Sequence, residues 1–178
     1  MDSINKNQAE KNHQDLSGVN AVDKIREIVE DADVCFFCTA VDSGGSGSVR
    51  PMNALEVDEQ GCIWFLSADD SHKNKEIAMD PMVRLHFQGN KHGEFLTLLG
   101  TATATHDKAR IEALWKGIFK TWFTEGEDDP RITVIKFSPV HGYYWDTKHG
   151  TVVAGAKILI GAMVGRTLDD SIEGELIT

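Results

Sequence analysis

The strongest constraint on the fold is a series of short apolar runs that alternate with the two-residue period of a β-strand. Residues 96–105 show it most plainly, since leucine and alanine occupy one side and threonine recurs on the other. Comparable runs, rich in β-branched and aromatic residues, occupy 34–41, 49–57, 62–67, 83–87, 132–137 and 143–145. Turn signals separate most of these runs, so the sequence predicts antiparallel strands. A Greek-key β-barrel is the simplest closure, because it leaves few sheet edges open.

Helices are predicted at the junctions between strands. Apolar residues recur at helical spacing over 21–29 and again over 111–122, and a short helix is expected over 71–79 with Asp70 as its cap. The nearly continuous apolar run at 34–41 predicts a strand buried on both faces. The chain is therefore expected to be mainly β, with flanking helices.

One domain is expected over residues 17–150, since typical domains hold roughly 100–200 residues. Residues 1–16 are polar throughout and are predicted to be disordered. Residues 151–178 are predicted to form a C-terminal extension that is weakly helical and then acidic.

Composition narrows the function classes. The net charge is −10 and no stretch is strongly basic, which argues against a nucleic-acid partner because a polyanion needs a positive face. No apolar run approaches the ~20 residues that cross a bilayer, and the polar start does not resemble a signal peptide. The three cysteines are too few for a disulfide framework. We therefore expect a cytoplasmic protein without a membrane or nucleic-acid partner.

Several familiar motifs do not lead to a site. Cys35 and Cys38 have redox-motif spacing but lie in a predicted strand, where residues three apart face opposite sides, so ordinary buried cysteines are expected. The seven histidines lack metal-ligand spacing, and no metal site is predicted. Motifs for a nucleophile elbow, a phosphate-binding P-loop and a dinucleotide fingerprint are absent from the sequence.

The segment from Arg50 to Asn53 is more informative. Pro51 lies within a predicted strand, where proline indicates an edge, a bulge or a functional distortion. Backbone groups near such a break can face a flat ligand with polar edges, and Arg50 can make a charge-assisted contact to phosphate. The alternative is an ordinary surface arginine on an edge strand.

A second segment, 64–73, predicts the other half of an anion site. A strand ends at Ser67, and a short loop then brings Ser71 and Lys73 to a helix N-terminus, where orphan N–H groups favour an anion. Asp69 and Asp70 oppose this unless they point outward or cap the helix. The alternative is a plain helix cap.

Together, in this order, these motifs resemble the pyridoxamine-phosphate-oxidase-like superfamily of FMN-binding split barrels, and in particular its general stress protein 26-like branch. The similarity runs from about residue 20 to about residue 150. Its remaining motifs are Asp80-Pro81-Met82-Val83-Arg84-Leu85, Gly100-Thr101-Ala102, Leu114-Trp115, Trp122-Phe123, Asp128-Asp129-Pro130 and Tyr144-Trp145-Asp146.

The resemblance implies a homodimer with two FMN molecules, each between the two barrels. It places the FMN phosphate at Arg50 and Lys73, with a hydrogen bond from Ser71 and a contact from His72. It further implies that the backbone near Met52 and Asn53, together with Ser67, lies along the isoalloxazine ring. Trp145 is a further candidate at the flavin edge, from the same chain or from the partner.

Departures from the family pattern limit the expected activity. Leu55 stands where true pyridoxamine phosphate oxidases carry a lysine, Phe95 replaces an expected glutamine, and His72 replaces an arginine. The arginine-rich C-terminus that grips the vitamin's phosphate is also absent. Oxidation of pyridoxine phosphate is therefore not expected.

Three functions stay open at this point. The leading hypothesis is an FMN-binding stress-type flavoprotein that exchanges hydride with NAD(P)H or another small electron carrier. The alternatives are a non-catalytic protein that stores, delivers or senses flavin, and a structural dimer that has lost its ligand. The sequence identifies no catalytic acid or base.

Overall fold

The computed structural model describes residues 12–41, 48–89, 94–148 and 170–178. Within these ranges the chain forms three α-helices and nine β-strands, which join in one sheet. The helices are α1 (Val19–Ala32), α2 (His72–Met79) and α3 (Lys108–Leu114). The strands are β1 (Leu16–Ser17), β2 (Val34–Thr39), β3 (Val49–Asn53), β4 (Glu56–Val57), β5 (Ile63–Ala68), β6 (Met82–Gln88), β7 (Phe95–Thr105), β8 (Ile132–Thr147) and β9 (Ser171–Ile177). The predicted mainly β architecture with flanking helices is confirmed.

The sheet curves around a core without closing. Its main path runs β1-β9-β8-β7-β6-β2-β3, while β5 pairs with β8 and β4 pairs with β5. The long strand β8 makes this possible, because its first part pairs with β5 and its second part pairs with β9. Phe37 of β2 and Phe65 of β5 come from strands that are not neighbours, yet their ring centroids are 5.5 Å apart. The result is a split barrel, as the sequence predicts.

The alternation seen in the sequence corresponds to burial. Along β7, Leu96, Leu98 and Ala102 are buried in the main core, and the intervening residues are more exposed. Helix α1 closes one side of that core with Ala21 and Ile25. Gly61 follows the turn before β5 with φ of 79°, the left-handed conformation that glycine adopts without strain.

Strand β2 is buried on one face only, so the prediction of burial on both faces is wrong. Cys35, Phe37 and Thr39 face the core, whereas Val34 is 48% exposed and Phe36 is 59% exposed. No described element covers the outward face of β2. Cys35 and Cys38 do lie on opposite faces, as predicted, but the expectation that both are buried holds for Cys35 alone, because Cys38 is half-buried on the outward face.

Three other elements differ from the sequence prediction. The run at 49–57 divides into β3, which pairs with β2, and β4, which pairs with β5. The runs at 132–137 and 143–145 belong to one continuous strand, β8. The apolar stripe at 111–122 is not one helix: α3 ends at Leu114, the backbone of Trp115 is extended, and a 3₁₀ turn follows over Gly117–Thr121. Glycine in a helix interior is unfavourable by about 1 kcal/mol relative to alanine, which helps to end the helix here.

Strands β1 and β9 were not among the predicted strands. β9 pairs antiparallel with β8 and parallel with β1. Gly174 lies at the centre of β9, and a Cβ atom there would collide with the backbone carbonyl of Gln14. The predicted weak helix at 152–165 lies outside the described residues, and the predicted domain boundaries stay a prediction.

Candidate functional site

A cleft of about 720 Å³ opens between the edge strand β3, the end of β5, the start of α2 and the 3₁₀ turn after α3. Its volume lies in the range of small-molecule pockets, about 300–1,000 Å³. Its polar lining residues are Asn53, Ser67 and Lys73, and Met52 lies between Pro51 and Asn53 in the same lining. Most of the remaining lining is apolar, and we call a part of it the apolar wall. We define this wall as Leu55, Leu66, Ile118, Phe119, Trp122 and Phe123.

Strand β3 supplies the floor of the cleft. Among the described residues it pairs only with β2, which makes it an edge strand of the described sheet. Pro51 is compatible with this position, since proline is tolerated on an edge strand where its missing N–H is not needed. Of the three explanations offered for Pro51, an edge, a bulge or a functional distortion, the structure thus selects the edge.

A hydrogen-bonded network organises the polar side. The Ser67 hydroxyl donates to Asn74 Oδ1 at 2.9 Å and lies 3.2 Å from the Ser71 hydroxyl. The Asn74 amide in turn donates to Thr133 Oγ1 at 2.7 Å, which fixes α2 against β8. Ser71 caps α2, accepting from the backbone N–H of Asn74, so the prediction of Asp70 as the cap is wrong.

Lys73 is the cation that lines the cleft. Its ammonium is partly buried and lies 3.5 Å from the Ser71 hydroxyl. Burial, followed by the positive charge of Arg50, lowers the pKa of Lys73 to about 8, although Asp70 and Glu76 oppose the shift. A partly desolvated ammonium of this kind is stabilised by a bound anion.

Arg50 lies beside the cleft without lining it. Its side chain points to the core side of β3, opposite Phe37 in the register. The guanidinium forms a 2.8 Å ion pair with Glu76 and donates to Thr39 Oγ1 at 3.1 Å. Arg50 and Lys73 are therefore neighbours at one end of the cleft, and Arg50 is also engaged with a buried carboxylate.

The remaining predicted site residues divide into two groups. His72 is exposed at the first residue of α2, next to Ser71 and Lys73. Trp145 lies elsewhere, in the second part of β8, where its ring is 4.7 Å from that of Tyr143. It lines a separate cavity of about 510 Å³ together with Phe95. Within one chain, the structure brings the predicted residues together except for Trp145.

Sequence reasoning missed two parts of this site. Glu76 carries no local signal of burial, because a glutamate on a short helix is usually exposed. The apolar wall contains Trp122 and Phe123, which the sequence analysis identified only as a family motif. It also contains Leu55, at the position where true pyridoxamine phosphate oxidases carry a lysine. Ile118 and Trp122 are 67% and 63% exposed, an unusual degree for residues of this size.

One group of carboxylates has metal-ligand spacing. Oxygens of Glu27, Glu94 and Asp146 lie within 4.8 Å of one another. Lys24 Nζ already lies among them, at 2.6 Å from Glu27 and 3.0 Å from Asp146. The group is thus a charge cluster built around an ammonium.

Comparison with known proteins agrees with this architecture. The family model described as pyridoxamine 5'-phosphate oxidase like matches residues 20–169. The chain belongs to this family. The resemblance stated from the sequence motifs is thereby confirmed.

Solved structures of the family share the fold. A general stress protein 26 of Jannaschia sp. CCS1 is 22% identical, with coverage of 90% of this chain and 100% of that chain and a TM-score of 0.72. A general stress FMN/FAD binding protein of Xanthomonas citri is 23% identical, with coverage of 70% and 87% and a TM-score of 0.59.

Protein bli-3 of Neurospora crassa is a curated relative, 24% identical over 123 residues. The match covers 64% of this chain and 59% of that protein, so this chain spans less than two thirds of the relative's length.

Within the described ranges, no helix has the length and apolar character needed to cross a bilayer.

Proposed function

We propose that this protein is a flavoprotein that binds FMN in the cleft. The observation that carries the proposal is the presence of a partly desolvated cation, Lys73, in a cleft whose other lining residues are mostly apolar. FMN has matching parts, since a phosphate stands at one end and a flat, largely apolar ring system at the other. The Xanthomonas citri protein, which shares the fold, is named as FMN/FAD binding.

Residues at the polar end fit the phosphate. Lys73 supplies the charge, and Ser71 has a hydroxyl within reach of the same position. Arg50 adds a second positive charge from the core side of β3, beside the cleft. His72 is exposed and can contact the phosphate from the solvent side. Charge-assisted hydrogen bonds of this kind are roughly twice as strong as neutral ones.

The rest of the cleft fits the ring. Met52, Asn53 and Ser67 line the same cleft, and we assign the backbone of the first two and the Ser67 hydroxyl to the polar edge of the ring. The apolar wall would cover its face and exclude water. When bound, the flavin supplies hydride or electron exchange with NAD(P)H or a small electron carrier, while the protein supplies position and electrostatics.

A non-catalytic role in flavin storage or sensing is the second candidate. Of the described residues that line the cleft, Lys73 is the sole side chain with a titratable group. A lysine assigned to the phosphate is not free to transfer protons, so this cleft favours binding over acid–base chemistry.

We further propose that two copies of the chain associate. The outward face of the sheet carries several exposed apolar side chains, among them Val34, Phe36, Phe95 and Trp145, which are exposed between 41% and 59%. We name this set the outer face. Exposed apolar patches of this type mark interaction surfaces. We assign Trp145, which lies apart from the cleft of its own chain, to contact with the flavin held by the partner.

An absorbance spectrum of the purified, desalted protein, followed by titration with FMN and riboflavin, tests the flavin proposal. Flavin absorbance, or saturable quenching of FMN fluorescence with weaker binding of riboflavin, is the expected result. Addition of NADH or NADPH then separates the two candidates, because reduction of bound flavin requires the catalytic one. A protein that binds neither flavin would contradict the proposal.

A further inference from the structure

Glu76 is a buried carboxylate that the proposed flavin site does not explain. It lies on α2 and is 1% exposed. Burying an ionised carboxylate is strongly unfavourable unless hydrogen bonds and an opposite charge compensate for it. The position of Glu76 therefore depends on the groups that surround it.

Among the described residues, Thr39 and Arg50 compensate this carboxylate, and each comes from a different strand. The hydroxyl of Thr39 on β2 donates to Glu76 Oε2 at 2.6 Å. The guanidinium of Arg50 on β3 approaches the same oxygen to 2.8 Å. Arg50 also donates to Thr39 Oγ1 at 3.1 Å, which closes a triangle of three polar groups. A triangle of this kind restricts the guanidinium to one position more tightly than a single ion pair would.

Lys73 connects this triangle to the cleft. Lys73 and Glu76 are three residues apart on α2, a spacing that places them on neighbouring parts of the helix surface. The two cations Arg50 and Lys73 thus lie close enough for the charge of Arg50 to disfavour the protonated form of Lys73. The negative charge of Glu76 lies close enough to offset that effect.

We propose that Glu76 is a positioning residue of the anion site: it fixes Arg50 beside Lys73 and balances their charges, so that the cleft prefers a phosphorylated flavin to an unphosphorylated one. This proposal rests on the proposed function, because it concerns how the same cleft recognises phosphate. In this proposal Arg50 contributes a positive charge at a fixed position, while Lys73 and Ser71 make most of the direct contacts to the phosphate.

The charges that act on Lys73 agree with this role. Burial and Arg50 lower the pKa of Lys73, while Asp70, which precedes α2, and Glu76, within α2, raise it. Glu76 is thus one of the two acidic groups that help to keep Lys73 protonated near neutral pH. Removal of its charge should weaken phosphate binding without changing the contacts to the ring.

The decisive experiment compares FMN with riboflavin in Glu76→Gln. Glutamine keeps the shape and an acceptor for Thr39 but removes the charge. We expect FMN to bind at least about tenfold more weakly, as for loss of one charge-assisted contact, with riboflavin changed less than about twofold. Glu30→Gln, the same change on the exposed side of α1, is the control and should alter neither affinity.

A pH series adds a readout that a purely structural role would not move. In Glu76→Gln, the pH above which FMN affinity falls should shift downward, since Lys73 loses one of the charges that favour its protonated form. If Glu76→Gln does not fold, Thr39→Val decides the question. It removes one leg of the triangle and should give a smaller loss, still selective for FMN.

The outcomes are distinguishable. Equal weakening of FMN and riboflavin, or no change in either, would overturn the positioning role and leave the flavin proposal intact. Wild-type protein that binds neither flavin would overturn the proposed function and this inference with it.

Discussion

The cleft and the outer face are both exposed parts of one sheet, but they differ in how they hold polar groups. At the cleft, charges lie under partial burial and are balanced by one another, as in the Arg50–Glu76 pair. The outer face instead presents Phe36 and Trp145 to solvent. Balanced buried charge suits a small anionic ligand, whereas an exposed apolar surface suits another protein surface. This difference is why we propose separate partners for the two regions, the flavin for the cleft and a second copy of the chain for the outer face.

The outer face is tested most severely by placing a charge at its centre. Phe36→Glu would bury an unpaired carboxylate in each half of a symmetric interface, at about 3–5 kcal/mol each. We expect the dimer to weaken by more than about 100-fold, with little change in the stability of the monomer fold. Light scattering across a concentration series measures this. Val19→Glu, at a residue 75% exposed on α1, is the control. An unchanged mass for Phe36→Glu would contradict the assignment of this face.

The cleft is tested by removing its cation. Lys73→Ala should weaken FMN by roughly 10- to 100-fold, because a charge-assisted contact is worth roughly 1.5–3 kcal/mol. Riboflavin should be nearly unaffected, since it lacks the phosphate. Fluorescence titration measures both, and Lys75→Ala, an exposed lysine on the same helix, is the control. Equal FMN affinity in the two variants would remove Lys73 from the site.

The pH dependence of FMN binding tests whether the charge of Lys73 holds the ligand in the cleft. The pKa of Lys73 is lowered to about 8 in the protein, mainly by burial, and a bound phosphate would raise it again by favouring the ammonium. Binding therefore takes up a proton above pH 8, and FMN affinity should fall by about tenfold between pH 7 and pH 9. Riboflavin, titrated in parallel, should show no such fall. A similar pH profile for both ligands would show that another group is responsible.

The smallest expected effect belongs to the residue that links the two regions. If Trp145 reaches the partner's flavin, Trp145→Ala should weaken FMN and riboflavin alike, by about 2- to 10-fold, since aromatic contacts are worth roughly 0.5–1.5 kcal/mol. The same substitution in the Phe36→Glu background should have no further effect, because the partner is then absent. A loss of affinity in that monomer would place Trp145 at its own chain's flavin.

Prediction from sequence succeeded where the signal is local. The period of residues 96–105 and the proline of an edge strand each report on their own backbone, and the structure agrees with them. It failed for β9, where two glutamates and a central glycine weaken the strand signal. The alternation of Ile172, Gly174 and Leu176 was the clue available there.

The candidate site shows the same division. Lys73 and Ser71 were found because a strand, a loop and a helix start follow one another within a few residues. Glu76 was missed because its burial depends on Thr39 and Arg50, which lie 37 and 26 positions away along the chain. Such a partner leaves no mark on the local pattern of the helix.

The sequence by itself determined most of the strands, the mainly β architecture and the family, because these follow from periodicity, backbone preferences and an ordered set of motifs. Only the tertiary structure decided which face of β2 is buried, that Trp145 stands apart from the cleft, and that a buried carboxylate supports its cations. The physical reason is that burial and charge balance are set by residues distant in sequence, and these become neighbours only when the sheet curves around its core.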